Sequence, residues 1–217
     1  MSQADLRARI LAEVKKEPAP TRAEHRRRVL LVAFVGAAAT AAIFFATGGF
    51  TPGTRPLEMI AFTAGLAAFT AGVLTRLSSG GGTSSVLGHP RQVIVGACVV
   101  AAPLLAIAAL VAAMCWPGPA GEPVSPGAHF SCAALALLQG ALPLVALLAP
   151  KRGSDPIHPA ITGAGLGMTA GAWTAMLAYL RCPHASAFHC MVAHVGPTVL
   201  LTVVGAALGW ALLRIKR

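Results

Sequence analysis

The residues best equipped for chemistry are thiols and imidazoles. The chain carries five cysteines and seven histidines. Cys115, Cys132, Cys182 and Cys190 fall near His129, His184, His189 and His194 along the chain. His129 and Cys132 are spaced i, i+3, and Cys190 and His194 are spaced i, i+4, so each pair would share one helix face. Thiolate and imidazole together suit Zn²⁺ and other soft cations. The candidate metal ligands are Cys132, Cys182, Cys190, His129, His184 and His194. None of these spacings is a zinc-finger signature, and a purely structural reading stands beside the metal one. In an oxidising compartment the four cysteines allow three full disulfide pairings, between which the sequence does not choose. One or two static disulfides with solvated histidines would then account for the cluster. A redox- or metal-responsive site is the favoured reading. Cys98 lies in the middle of an apolar run and reads as a small hydrophobe.

Other chemistries are missing. No phosphate-binding G-x-x-x-x-G-K-[ST] loop, H-E-x-x-H helix or G-x-S-x-G elbow occurs, and no paired carboxylates face a plausible site. Ion-coupled carriers keep ionisable groups inside the membrane. Here Glu58 stands at the end of an apolar run, and Gln139 is the strongest polar group well inside one. An enzyme and a proton-coupled carrier are both disfavoured.

The elements that must position the cluster are transmembrane helices. Hydrophobic residues make up 56% of the 217 residues and charged residues only 11%, which excludes both a soluble globular domain and a disordered chain. About 20 mostly apolar residues cross a bilayer as a helix. Six stretches qualify: 29–47, 57–74, 93–114, 130–149, 160–180 and 192–213. Nothing alternates as a barrel strand does. The expected fold class is therefore all-α, a polytopic membrane protein of six spans. Of the 17 Lys and Arg residues, only Arg55 and Arg181 lie in the first, third and fifth loops. Basic loops stay in the cytoplasm, so both termini are expected inside and the Cys/His cluster outside. Most of the +10 net charge is then topology signal, and direct nucleic-acid binding is not expected. The first span is read as an uncleaved helix, because no A-x-A-like site closes it. Pro103, Pro143 and Pro197 should kink their spans. Gly163, Gly167 and Gly171 repeat every fourth residue, as do Gly205 and Gly209, making smooth faces for close helix approach. Packing within the chain is favoured over a dimer seam.

The N-terminus reads as a short amphipathic helix. Ser2 can cap it, and Leu6, Ile10 and Val14 form a stripe with Leu11 on its flank. Glu17-Pro18-Ala19-Pro20 stops it, and a basic tether leads to the first span. A helix this short needs a surface to bury its stripe. That surface is either the lipid bilayer or a groove on a cytoplasmic protein.

This layout resembles the NrsF-type family of membrane anti-sigma factors. The resemblance rests on Leu6, Ile10 and Leu11 as L-x-x-x-I-L, on Pro18, Pro20 and Arg22 as P-x-P-x-R, and on the six spans. Phe130-Ser131-Cys132 opens the fourth span, Tyr179-Leu180-Arg181-Cys182-Pro183 closes the fifth with His194 downstream, and Gly205 to Arg214 ends the last. Membership implies that the N-terminal segment sequesters an extracytoplasmic-function sigma factor at the bacterial inner membrane. It also implies that Cys132 and Cys182 sense stress or metals; Cys98, Cys115 and Cys190 are extra to that pattern. The organisation expected is a cytoplasmic sigma-binding segment and tether (1–28; Leu6, Ile10, Leu11 and Val14), a transmembrane sensor (29–213) and a cytoplasmic tail (214–217). An outer signal, with a soft metal such as zinc as its candidate cofactor, would repack the helices or expose the chain to a membrane protease. The alternatives are a small-solute or metal transporter and a structural membrane subunit.

Overall fold

A computed structural model of the chain describes residues 22–50, 55–78, 91–116, 124–152, 158–184 and 186–214, together with 5, 7 and 12. Regular structure among the described residues is entirely helical. The long helices are α1 (Arg22–Ala46), α2 (Leu57–Ser78), α3 (Arg91–Cys115), α4 (Pro126–Leu148) and α5 (Pro159–Arg181). A 3₁₀ turn, Ala149–Lys151, follows α4. The last helix, α6, spans Ala187–Leu213 and holds a π-helical turn at Met191–Val195. Asp5, Arg7 and Ala12 are helical and exposed, whereas Leu6, Ile10, Leu11 and Val14 lie outside the described residues.

Local sequence explains the helix ends. α1 stops where Gly48 and Gly49 take φ of 113° and 61°, a left-handed exit that costs glycine little. Gly49 N–H then donates to Phe44 O at 2.8 Å and Gly48 N–H to Phe45 O at 3.2 Å. Ser125 caps α4 by accepting from Ala128 N–H at 3.2 Å, with Pro126 in the first turn, where its missing N–H is harmless. Pro103 and Pro143 lie inside α3 and α4. At Pro197 the irregularity is specific: the π turn immediately precedes Gly196–Leu213, and Gly196 N–H reaches back to Met191 O. Proline cannot supply the i→i−4 bond at that point, and the widened turn absorbs the interruption.

Four of the helices are long and apolar enough to cross a membrane: Leu57–Leu77, Arg91–Cys115, Pro126–Lys151 and Ala187–Leu213. In α1, among the described residues, Phe34–Ala46 forms a shorter apolar helical run. α5 is long but rich in Gly and Thr, and its position explains why. It packs against α2, α3, α4 and α6 at the centre of the bundle, so neighbouring helices rather than lipid surround it. Gly163, Gly167, Met168, Ala170, Gly171 and Ala175 are among its buried residues. One cluster on its flank joins Ala67, Ala71, Leu105 and Ala109 to Met168, Ala172 and Tyr179; a second joins Leu144, Leu148, Leu201 and Leu213 to Leu166 and Ala170. Thr169 and Thr174 return their hydroxyls to the carbonyls four residues back, which satisfies them without water. The exterior carries exposed Phe34, Phe45, Phe69, Val99 and Val203, an apolar surface suited to lipid.

The expectation that the glycines pack within the chain holds. A Cβ on Gly163 would meet Gly209 Cα at 2.7 Å, and one on Gly205 would meet Gly167 Cα at 2.8 Å. α5 and α6 therefore touch backbone to backbone.

Candidate functional site

The start of α4, the end of α5 and the start of α6 meet at the Cys/His end of the bundle. At the start of α4, His129 and Cys132 occupy one face, as their spacing predicts. α5 finishes at Arg181. Cys182 N–H still donates to Ala178 O at 2.8 Å, but the Cys182 backbone is extended and Pro183 follows, so the chain turns away. It re-enters helix after Ser186, whose carbonyl accepts from Cys190 N–H at 3.0 Å. This short return places His189 directly over Cys182.

Three donor groups meet there. The ligand atoms of Cys132, Cys182 and His189 all lie within 4.8 Å of one another. Cys182 Sγ is 3.2 Å from His189 Nε2, and on the other side of that ring His129 Nδ1 is 2.7 Å from His189 Nδ1. Cys182 is 3% exposed and His189 fully buried. All five cysteines are free thiols. The hydrogen bond shared with Cys132, and then burial, push the Cys182 thiol well above its ordinary range, so its proton is held until something displaces it.

The surroundings are polar for so apolar a chain. His184 and His194 set their rings against His189 at 5.0 and 5.3 Å between centroids. Tyr179 Oη and both ring nitrogens of His194 are buried without a hydrogen-bond partner. Arg55 is buried as well: its guanidinium donates to Tyr179 O at 3.0 Å, to Cys182 O at 2.9 Å and to Thr63 Oγ1 at 3.3 Å. Arg181 donates to Phe44 O and to Gly49 O, and its guanidinium carbon lies 4.6 Å above the centre of the Phe44 ring. Each arginine thus closes the carbonyl end of a helix, Arg55 on α5 and Arg181 on α1.

The structure brings the candidate ligands Cys132 and Cys182 together. His129 and His184 flank the ring of His189, Cys190 is buried within the core cluster shared by α2, α3 and α5, and His194 lies one turn deeper within the π segment. Cys115 is exposed at the end of α3, apart from the three-residue group. Two contributors are not among the sequence-level candidates. His189 belongs to the Cys/His cluster but not to the candidate ligands, and its contact with Cys182 closes over seven residues through a turn, a spacing that no helical periodicity marks. Arg55 carried a readable signal as a lone basic residue in a loop expected to lack them.

Two sulfurs and an imidazole nitrogen at these separations can hold a soft cation. Zn–S distances of about 2.3 Å in a tetrahedral site put two sulfurs roughly 3.8 Å apart, within the observed spacing. A disulfide would instead need the sulfurs to close to about 2.05 Å.

The family model described as NrsF, negative regulator of sigma F, matches residues 14–215. No curated protein and no solved structure matches the chain.

Proposed function

The chain belongs to the NrsF family of negative regulators of sigma F, and from that membership we propose that it is an inner-membrane anti-sigma factor with its signal site at Cys132 and Cys182. Segment 1–28 holds an extracytoplasmic-function sigma factor on the cytoplasmic face through Leu6, Ile10, Leu11 and Val14. The domain 29–213 crosses the membrane six times, and 214–217 is a cytoplasmic tail. The family match begins at residue 14, so the contact stripe rests on its amphipathic spacing. An envelope signal, a soft metal or an oxidant, acts on the thiol pair and repacks α4 against α5 and α6, or opens the chain to a membrane protease. The sigma factor is then released for the stress response.

The observation that carries this reading is the gathering of the two thiols at one end of the bundle in a chain of this family. Topology is supported by Arg55 and Arg181. Both are committed to helix-end carbonyls, which leaves no uncommitted Lys or Arg in the loops assigned to the outside.

Leu6→Asp and Ile10→Asp test the contact stripe in the full-length protein. Burying an unpaired charge costs several kcal/mol, so the expected result is loss of sigma-factor co-purification with membranes and constitutive expression of its regulon. Membrane insertion should be unchanged. Normal repression by both variants would overturn the assigned face.

A further inference from the structure

We propose that His189 supplies the third ligand, through Nε2, to a thiophilic cation held by Cys132 and Cys182, and that His129 is the residue that positions it. The inference deepens the preceding reading and rests on the thiol pair being the signal receiver.

The donor set selects the cation class. Two thiols and an imidazole favour a d¹⁰ ion of the Zn²⁺, Cd²⁺ or Cu⁺ kind over a hard, oxygen-seeking one. No carboxylate joins the group among the described residues. Cys182 and His189 are more than nine-tenths buried, and the unpartnered nitrogens of His194 and the Tyr179 hydroxyl add a polar floor behind them.

The two rings then take different roles. A metal on His189 Nε2 uses that nitrogen's lone pair, so the ring proton must sit on Nδ1. The acceptor for that proton is His129 Nδ1, 2.7 Å away. Because its Nδ1 lone pair is engaged by His189, that atom of His129 is unavailable as a ligand. This is the arrangement in which a second residue fixes the tautomer and direction of a ligating histidine. Its consequence is mechanical. α4 carries both a ligand, Cys132, and the positioning residue, whereas Cys182 follows α5 and His189 begins α6. Loading the site draws three helices together.

The test uses the full-length protein in detergent, reduced and freed of metal, titrated with Zn²⁺ against a competing chelator and separately with Co²⁺ for its ligand-field spectrum. The wild type should bind one ion. Cys132→Ser and Cys182→Ser should abolish tight binding, and His189→Ala should weaken it and alter the Co²⁺ spectrum. His129→Phe keeps a ring against Phe188, now 5.4 Å from His129 between centroids, but removes the acceptor. It should weaken Zn²⁺ binding about 10–100-fold and leave the Co²⁺ spectrum unchanged. His129→Asn, which restores an acceptor, should recover part of that loss. Wild-type affinity in His129→Phe, or a wild-type Co²⁺ spectrum in His189→Ala, overturns the assignment, as does failure of the wild type to bind either ion. Sigma-factor retention by the same variants in membranes reports on the anti-sigma reading separately.

Discussion

Arg55 shows how a residue far along the chain from the ligands can still place them. Its guanidinium ties the carbonyls of Tyr179 and Cys182 to the first turns of α2 through Thr63. Without it, those carbonyls are left in a buried environment with fewer donors, at about 1–3 kcal/mol for each one that stays unsatisfied. Arg55→Met should therefore lower the thermal unfolding midpoint in detergent and loosen the thiol pair, read as faster alkylation of Cys182. Arg55→Lys keeps the charge near the helix end but not the planar fork, and should fall between the two. Equal midpoints and alkylation rates in all three proteins would remove Arg55 from the architecture of the site. Arg181 does the corresponding work at the end of α1, where it lies over Phe44. A basic residue there is compatible with a loop expected to lack such charges because its Nε and one terminal nitrogen already have carbonyl partners.

At the scale of elements, the α5–α6 pair sets the register on which the site depends. A Cβ on Gly167 would come within 2.8 Å of Leu201 C and 2.9 Å of Thr202 Cα. These are backbone atoms that cannot rotate aside. Gly167→Val should therefore separate the helices and destabilise the protein by about 1–3 kcal/mol, the usual cost of overpacking. Gly65 in α2 is the matched control, since a Cβ there meets nothing within 4 Å. Gly65→Ala should be neutral or slightly stabilising, because alanine favours a helix by about 0.8–1.0 kcal/mol over glycine. Unfolding midpoints of the two variants in the same detergent check both outcomes, and similar midpoints would contradict the backbone contact. The π turn belongs to this scale too. It lets the first turn of α6 present His189 to Cys182 while Gly205 and Gly209, further along, stay locked on α5.

For the whole molecule, the prediction concerns orientation. If the Cys/His end faces outward, a membrane-impermeant maleimide should label Cys115 in intact spheroplasts, because Cys115 is exposed and free. Sequence reasoning alone would offer Cys182 and Cys190 to the same reagent. Their burial at 3% and 1% exposure predicts slow reaction unless the bundle opens. Labelling of Cys115 only in inside-out vesicles would reverse the orientation and remove the cluster from the envelope side. Local quantities carried part of this architecture in the sequence: helices from apolar run length, an orientation expectation from loop charge, a smooth glycine face from a four-residue repeat, and a family resemblance from the N-terminal motifs, the spans and short motifs around Cys132 and Cys182. Each is carried by residues within a few turns of one another or summed over a loop. The tertiary structure decided the rest. The central place of α5 comes from which helices surround it, and its glycines and threonines lower the very apolarity by which a span is recognised. His189 joins Cys132 across 57 positions and Arg55 reaches Cys182 across 127. Contacts at those separations depend on how far each helix slides and rotates against its neighbour, and that register is fixed by glycine backbones meeting and by where Pro183 and Pro197 interrupt the chain, not by any periodicity along it.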